Sequence, residues 1–501
     1  MAAGSASVGA SWTIASRVVD RALGLASTAA LARLLTPADF GVVGIAVAYA
    51  GLFDVLTSFG FDWALVRHPR PERRHYDTAF TLRFGVTLAA AALMLASAWA
   101  MARFYGDDRL PAIIAVVAFS GIVGALENVG LAEYRRELRF DVEFRQQMAG
   151  KLAGLAVAVG VAVATRSYWA LVLGTLAGRT ASVAASYALH PYRPRLGLSA
   201  RSELFSFSMW LQLNNVLALL KDRFSSLVLG RYQGAHAVGV YGLAYELAYL
   251  STSELVAPIN RVVFSRYAQL QGDPARLREG YLRVVGVIWL AALPLAVGIW
   301  LTADYLVLLL AGEGWADTVP VLELLSVAGA LAVLAGNAGY VFVALGAPRV
   351  MTAIRAIGLA VLVPAMLVLV PPLGTRGAAL AAIASTAVMV PLNVVLLARW
   401  LHIGLRELAA PMWRPFLGCA AMVPAVLSLA PDALPASTTA RALELLLLAG
   451  VGAASYAAAV ALAWWAMGRP DAAERDLASL PASLLRARGG QAASADAERA
   501  P

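Results

Sequence analysis

Charge-free apolar stretches of about 20 residues recur along this 501-residue chain, and they decide which solvent it folds in. Residues 84–102 (FGVTLAAAALMLASAWAMA) and 284–303 (VVGVIWLAALPLAVGIWLTA) are two of them. As helices, each is long enough to cross roughly 30 Å of hydrocarbon. A soluble chain of this length would carry about a quarter charged residues. Here 14% are charged and 60% are hydrophobic. A cytosolic enzyme, a secreted disulfide scaffold and a disordered regulator are excluded, and the chain reads as a polytopic membrane protein.

The apolar runs predict about 14 transmembrane helices, near 9–33, 40–61, 80–102, 111–132, 146–165, 168–189, 206–230, 238–260, 284–303, 319–345, 350–371, 377–398, 412–430 and 441–467. They must be helices, because lipid leaves no partner for an open backbone and a barrel strand needs only half this length. The start of the chain, 1–10, is short and uncharged and predicts no cleavable signal. The lone Cys419 can form no internal disulfide. The 32 residues 470–501, rich in Ala, Arg, Asp and Ser, read as a disordered tail.

The formal charge of +9 suggests nucleic acid at first sight, but in a membrane protein basic residues first report orientation. Arg67, Arg70, Arg73 and Arg74 fall in one connection, and Arg135, Arg136, Arg139 and Arg145 in another on the same side. Arg193, Arg195, Arg201, Arg261, Arg266, Arg276, Arg278 and Arg283 follow, then Arg349, Arg355, Arg399, Arg406 and Arg414. Roughly 26 basic residues lie on that side against about 7 on the other, which predicts both termini in the cytoplasm. These loops also touch anionic membrane lipid, and no nucleic-acid partner is expected. Every outer loop is short, leaving no room for a folded catalytic domain.

An internal repeat gives the architecture. Shifted by 198 residues, Trp12 falls on Trp210, Leu31 on Leu229, Arg33 on Arg231, Gly41 on Gly239 and Gly44 on Gly242. Shifted by 200, residues 82–96 lie on 282–296 with seven identities in fifteen positions. Six spans separate equivalent positions, so the halves are parallel repeats with a site expected between them near the midplane. The fold class is therefore an all-α polytopic membrane protein: a six-helix lobe at 1–190, a second at 191–402, two C-terminal helices within 403–467 and a tail from 468.

Charges inside spans are costly and mark cavities, partners or pathways. The first span carries Arg17, Asp20 and Arg21, and the sixth carries Arg179 in a stripe with Thr175, Ser182 and Ser186. The fifth offers Lys151, and the seventh offers Asn214, Asn215, Lys221, Asp222 and Arg223. Of 40 basic residues only Lys151 and Lys221 are lysines, and both fall inside spans. Lysine, unlike arginine, can lose its proton when desolvated. Arg17, Arg21, Lys151, Arg179, Lys221 and Arg223 together suggest a cationic vestibule for an anionic substrate, a phosphate or diphosphate above all. Asp54, Glu127, Glu246 and Glu254 are buried acids that either pair with these cations or carry a coupling H⁺ or Na⁺, and Asn260 shares a face with Glu246. The five histidines have no metal-ligand spacing, there is no phosphate-binding glycine loop, and no cofactor is expected.

LARLLTPADFGVVGIA (31–46) and FGFDWALVRH (59–68) resemble the first hairpin of bacterial polysaccharide-biosynthesis flippases, the Wzx-type members of the MOP exporter superfamily. The likeness continues through RRELRFDVEFR (135–145), YWALVLG (168–174), 229–251, 261–283 and ALGAPR (344–349), covering roughly residues 8–405. The resemblance implies a two-lobed exporter that moves an undecaprenyl-diphosphate-linked oligosaccharide to the outer leaflet by alternating access. It also implies cavity cations on the diphosphate and acidic sugars, and a polymerase and other assembly proteins as partners. Where such proteins often carry an acid before the LxxGR segment of the seventh span, this chain has Ser225 and Ser226. Two extra C-terminal spans also occur in the similar lipid II flippases. The alternatives are such a lipid II flippase, a MATE-like cation-coupled antiporter, which calls for an acid-rich cavity, or a scaffold for a synthesis complex.

Overall fold

The computed structural model describes residues 21–57, 65, 71–137, 139–201, 209–250, 256–270, 272–335, 337–431, 434–435 and 437–468. All regular structure among them is helical. In chain order the helices are α1 (21–34), α2 (Pro37–Thr57), α3 (Arg73–Tyr105), α4 (Leu110–Ala125), α5 (Leu131–Arg136), α6 (Phe140–Thr165), α7 (Trp169–Leu189), α8 (209–233) and α9 (235–248). Then come α10 (Ala257–Gln269), α11 (Pro274–Leu301), α12 (Ala303–Leu310), α13 (Val319–Ala335), α14 (Ala338–Ala344), α15 (348–373), α16 (375–400), α17 (Leu405–Ala409), α18 (Trp413–Leu427) and α19 (Thr438–Ala466). Two hairpins turn on one glycine each, Gly234 between α8 and α9 and Gly374 between α15 and α16, both at positive φ. Six stretches of the described residues are long and apolar enough to cross a membrane, and the one from Arg349 to Trp400 is broken by Gly374 into two.

The predicted span at 319–345 is interrupted. Asn337, between α13 and α14, is 1% exposed, and its Nδ2 donates to the Tyr267 hydroxyl at 2.7 Å. A buried amide must find such a partner, and here it finds one on α10.

The chain forms two compact units, one of residues 1–244, 307–321 and 359–381, the other of the remainder. In the second unit, α11 is the central element and packs against α18, α19 and α10. Its start is fixed by Pro274 in the first turn and by Asp273, whose carboxylate accepts from the Arg276 backbone N–H at 3.1 Å. Trp289, Tyr281, Phe342 and Tyr267 form the fully buried centre of that unit. Trp289 Nε1 donates to the Val333 carbonyl at 3.0 Å, and Tyr456 of α19 donates to the Leu290 carbonyl at 2.8 Å. Lipid tails are as apolar as leucine, so close packing and such bonds hold helices together here rather than the hydrophobic effect.

In the first unit the LARLLTPADFG motif has a structural reason at nearly every position. Leu31 and Leu35 pack with Ala158, Ala162 and Ala170. Arg33 donates to the Leu309 carbonyl. Thr36 and Asp39 close a reciprocal cap on α2: Thr36 N–H and Oγ1 donate to Asp39 Oδ2 at 3.0 and 2.7 Å, and Asp39 N–H donates back at 3.3 Å. Pro37 occupies the first helical position, where a missing N–H costs nothing. Phe40 meets Trp315 edge to face at 5.2 Å, and Trp315 Nε1 donates to the Ala32 carbonyl at 2.9 Å. Gly41 crosses the start of α9 so closely that a Cβ there would lie 1.6 Å from the Ala235 carbonyl oxygen. The contact is reciprocal, because a Cβ on Gly239 would lie 1.9 Å from the Pro37 carbonyl oxygen.

The extended segment 190–200 is bound down along the same unit. Asn128, 1% exposed, donates to the His190 and Tyr192 carbonyls at 3.2 and 2.9 Å. Tyr192 donates to Asp77, which also accepts from Arg195 N–H at 3.0 Å. Burial, reinforced by the Asp77 carboxylate, pushes the Tyr192 hydroxyl pKa upward. Arg193 Nη1 also donates to both carbonyls at 2.9 Å, so removing Asn128 takes one of two donors from each. Asn128→Ala is therefore expected to cost on the order of 1 kcal/mol, read as a lower unfolding temperature and faster proteolysis within 190–200.

Candidate functional site

Small residues bring α6 and α7 together. Gly150 and Gly154 on α6 face Gly178 and Gly174 on α7, and a Cβ on any of the four would approach a carbonyl oxygen of its partner to 2.9–3.0 Å. Such spacing of small residues lets helix backbones touch in lipid. Larger side chains on the same helices then project around a cavity of about 780 Å³, which α1 and the end of α4 also line. Lys151, Arg179, Glu127, Gln147, Ser182 and Ser27 are among its lining residues.

The cavity walls are held by hydrogen bonds. Gln146, 4% exposed, donates to Glu127 Oε1 at 2.7 Å and to Ser182 Oγ at 3.0 Å, linking the turn after α4 to α6 and α7. Arg83 of α3 donates to the Glu127 backbone carbonyl, and Tyr187 of α7 to that of Leu126 at 2.8 Å. Arg179 lies across α4 at Gly124, where a Cβ would come within 2.7 Å of its Nη1. Two cations and one acid line the cavity, so it carries a formal charge of +1, suited to an oxyanion.

The structure thus gathers Lys151, Arg179 and Glu127 into one cavity. Arg21 lies on α1 one turn before the cavity-lining Gly24, half-buried. Lys221, Asp222 and Arg223 lie on α8 outside this cavity, the first and third half-buried, the second exposed. Arg223 packs at Gly51 of α2. Glu246 and Asn260 belong to the second unit, where Asn260 is 5% exposed. Arg17, Asp20 and Glu254 lie outside the described residues, and so do the side chains of Asp54, Asn214 and Asn215.

Two features had gone unassigned in the sequence. Gln146 sits beside Gln147 and is the one that bonds both Glu127 and Ser182, which only the packing shows. Arg355, counted above with the orienting arginines, lines a second cavity of about 380 Å³ in the second unit, with Tyr340, Phe264, Met351, Met389 and Asn393.

Helices able to span a bilayer, with a basic cavity among them, define a polytopic membrane protein. Among solved structures the chain is similar to the lipid II flippase MurJ in an inward closed conformation, with a TM-score of 0.76 at 11% identity over 92% of this chain and all of that one. It is also similar to an inward-facing MATE multidrug resistance transporter of the MOP superfamily, with a TM-score of 0.59 at 16% identity over 76% and 94% of the two chains. These likenesses show the fold. The chain belongs to the polysaccharide biosynthesis protein family, which it matches over residues 30–320. Among curated relatives, the lipopolysaccharide biosynthesis protein WzxC of Escherichia coli K12 is 26% identical over 331 residues. That alignment takes in 64% of this chain and 66% of WzxC, just under two thirds. The teichuronic acid biosynthesis protein TuaB of Bacillus subtilis is 23% identical over 68% of this chain and 71% of its own length. The succinoglycan biosynthesis transport protein ExoT of Rhizobium meliloti is 22% identical over 63% and 64%.

Proposed function

We propose that this chain is a flippase that carries an undecaprenyl-diphosphate-linked oligosaccharide from the cytoplasmic to the outer leaflet of a bacterial inner membrane. The observation that carries this reading is the cavity on α6 and α7, where Lys151 and Arg179 face one space in a member of a polysaccharide biosynthesis family. At about 780 Å³ the cavity falls within the ~300–1,000 Å³ of ligand pockets. It accommodates a diphosphate with its first sugars, while the polyprenyl tail stays in lipid. We read the full architecture as two six-helix lobes, with Lys221, Arg223 and Arg21 joining the same basic lining and with α18 and α19 outside the repeat. Both termini are cytoplasmic in this reading, so the Gly41–Gly239 crossing is the outer seal, closed here. Glu127, held by Gln146, is the described carboxylate best placed to couple transport to H⁺ or Na⁺.

Deleting the gene tests the proposal. Lipid-linked repeat units are expected to accumulate on the cytoplasmic leaflet, and surface polysaccharide to disappear. Normal polymer in a deletion strain lacking any second exporter would sink the reading. Loss of drug resistance with polymer intact would instead mark a MATE-like antiporter.

A further inference from the structure

The two cavities are built on the same stretch of sequence, repeated. Residues 149–159 (AGKLAGLAVAV) align without gaps on 353–363 (AIRAIGLAVLV) at a shift of 204, identical at six of eleven positions, with Lys151 opposite Arg355. Apolar helices align readily, so identity alone would be weak. The independent observation is where the matched residues point. Gln147, Gly150 and Lys151 all line the first cavity, and their counterparts Met351, Ile354 and Arg355 all line the second. Each unit therefore aims one basic side chain from the same register position into its own cavity.

The differences between the cavities define what the second one takes. With Ile354 and Met351 in place of Gly150 and Gln147, the space is smaller, about 380 Å³ against 780 Å³. That lies near the lower end of ligand-pocket volumes, room for one or two sugar rings rather than an oligosaccharide. Its walls include Tyr340 and Phe264, whose rings meet at 66° with centroids 6.4 Å apart. Asn393, half-buried, donates to the Met389 carbonyl at 2.9 Å, which fixes the orientation of its amide in the lining. An aromatic face suits the C–H side of a pyranose, an amide suits its hydroxyls, and a guanidinium fork suits a carboxylate held by two parallel bonds. An arginine kept only to orient the helix would have no need of a walled space in front of it.

We propose that this pocket is a second anion site, centred on Arg355, that holds one carboxylated sugar residue of the transported glycan. Its place in transport rests on the flippase reading; its binding chemistry does not. The test uses the full-length protein in nanodiscs of zwitterionic lipid, with glucuronate as probe and methyl glucoside and inorganic phosphate as comparators. Glucuronate is expected to bind, with methyl glucoside and phosphate each weaker by about tenfold or more. Arg355→Gln should weaken glucuronate by at least about tenfold, Arg355→Lys should restore part of it, and Tyr340→Ala should weaken methyl glucoside and glucuronate alike. Arg276→Gln, at an exposed arginine paired with Asp273, should change nothing. Equal losses in Arg276→Gln and Arg355→Gln would reduce the effect to general charge and overturn the proposal. So would wild-type binding in Arg355→Gln, or phosphate binding as well as glucuronate. Displacement of glucuronate in a second set of discs that contain phosphatidylglycerol would assign the pocket to a lipid headgroup and likewise overturn it. Absent binding alongside stranded lipid-linked intermediates in the deletion strain would remove this site alone. Retained binding with normal polymer in that strain would remove the flippase reading and leave the site.

Discussion

On the flippase reading, Gly41→Leu or Gly239→Leu is expected to stop polysaccharide export, while Gly242→Leu, on the same helix as Gly239, is expected to leave it near the wild-type level. The contrast follows from what surrounds each position. A Cβ at 41 or 239 falls 1.6 or 1.9 Å from a backbone carbonyl oxygen, whereas one at 242 meets nothing within 4 Å. Neither carbonyl can rotate out of the way, because each belongs to the first turn of a helix, at Pro37 or Ala235. The only relief is to part α2 from α9. Overpacking a core that can adjust costs about 1–3 kcal/mol, and a clash with rigid backbone lies at or above the top of that range. If the crossing must re-form in each transport cycle, a penalty of about 3 kcal/mol lowers the closed population by more than a hundredfold. Export should be measured as surface polysaccharide per unit of membrane-inserted protein. Wild-type export by Gly41→Leu would show that the crossing plays no part in the cycle.

The second large effect is expected in the basic cavity. Lys151→Glu combined with Arg179→Glu should abolish export, with each single reversal severely impaired and Lys151→Arg largely active. Two unit charges about 5 Å apart interact by roughly 3 kcal/mol at an effective dielectric near 20. Each reversal therefore swings the energy of a bound oxyanion by about 6 kcal/mol, several orders of magnitude in occupancy. Leaflet-resolved measurement of lipid-linked intermediates checks this, with the variants' insertion confirmed by their unfolding temperatures. Unimpaired export by the double reversal would remove this cavity from the pathway.

How far the sequence could be read depended on whether each signal was local. Apolar runs specify helices residue by residue, so the segments that became α3, α6, α11 and α19 were plain from length and charge alone. The break at Asn337 was not, because it rests on a hydroxyl from Tyr267, 70 residues away in the chain. Lys151, Arg179 and Glu127 stood out as charges in apolar surroundings, and all three line one cavity. Arg355 carried the same signal one turn inside a span, yet a count of arginines by side of the membrane absorbed it. Only the alignment of 149–159 with 353–363 separates it from its neighbours. The role of Gln146 was illegible in principle, since it depends on the rotation of α6 against α7.

Near their first turns, α2 and α9 touch through positions 37 and 41 on one side and 235 and 239 on the other, and both pairs are related by the same 198-residue shift. Each glycine rests on the residue equivalent to the one four places before itself. That is the pattern of an isologous interface, in which one patch meets its own copy across a two-fold axis. On the two-lobe reading, a half-length chain carrying this single motif could meet its own copy through the same contact. On the same reading, the covalent link between the halves adds chiefly the freedom for each to vary, with Lys151 in a broad space and Arg355 in a narrow one.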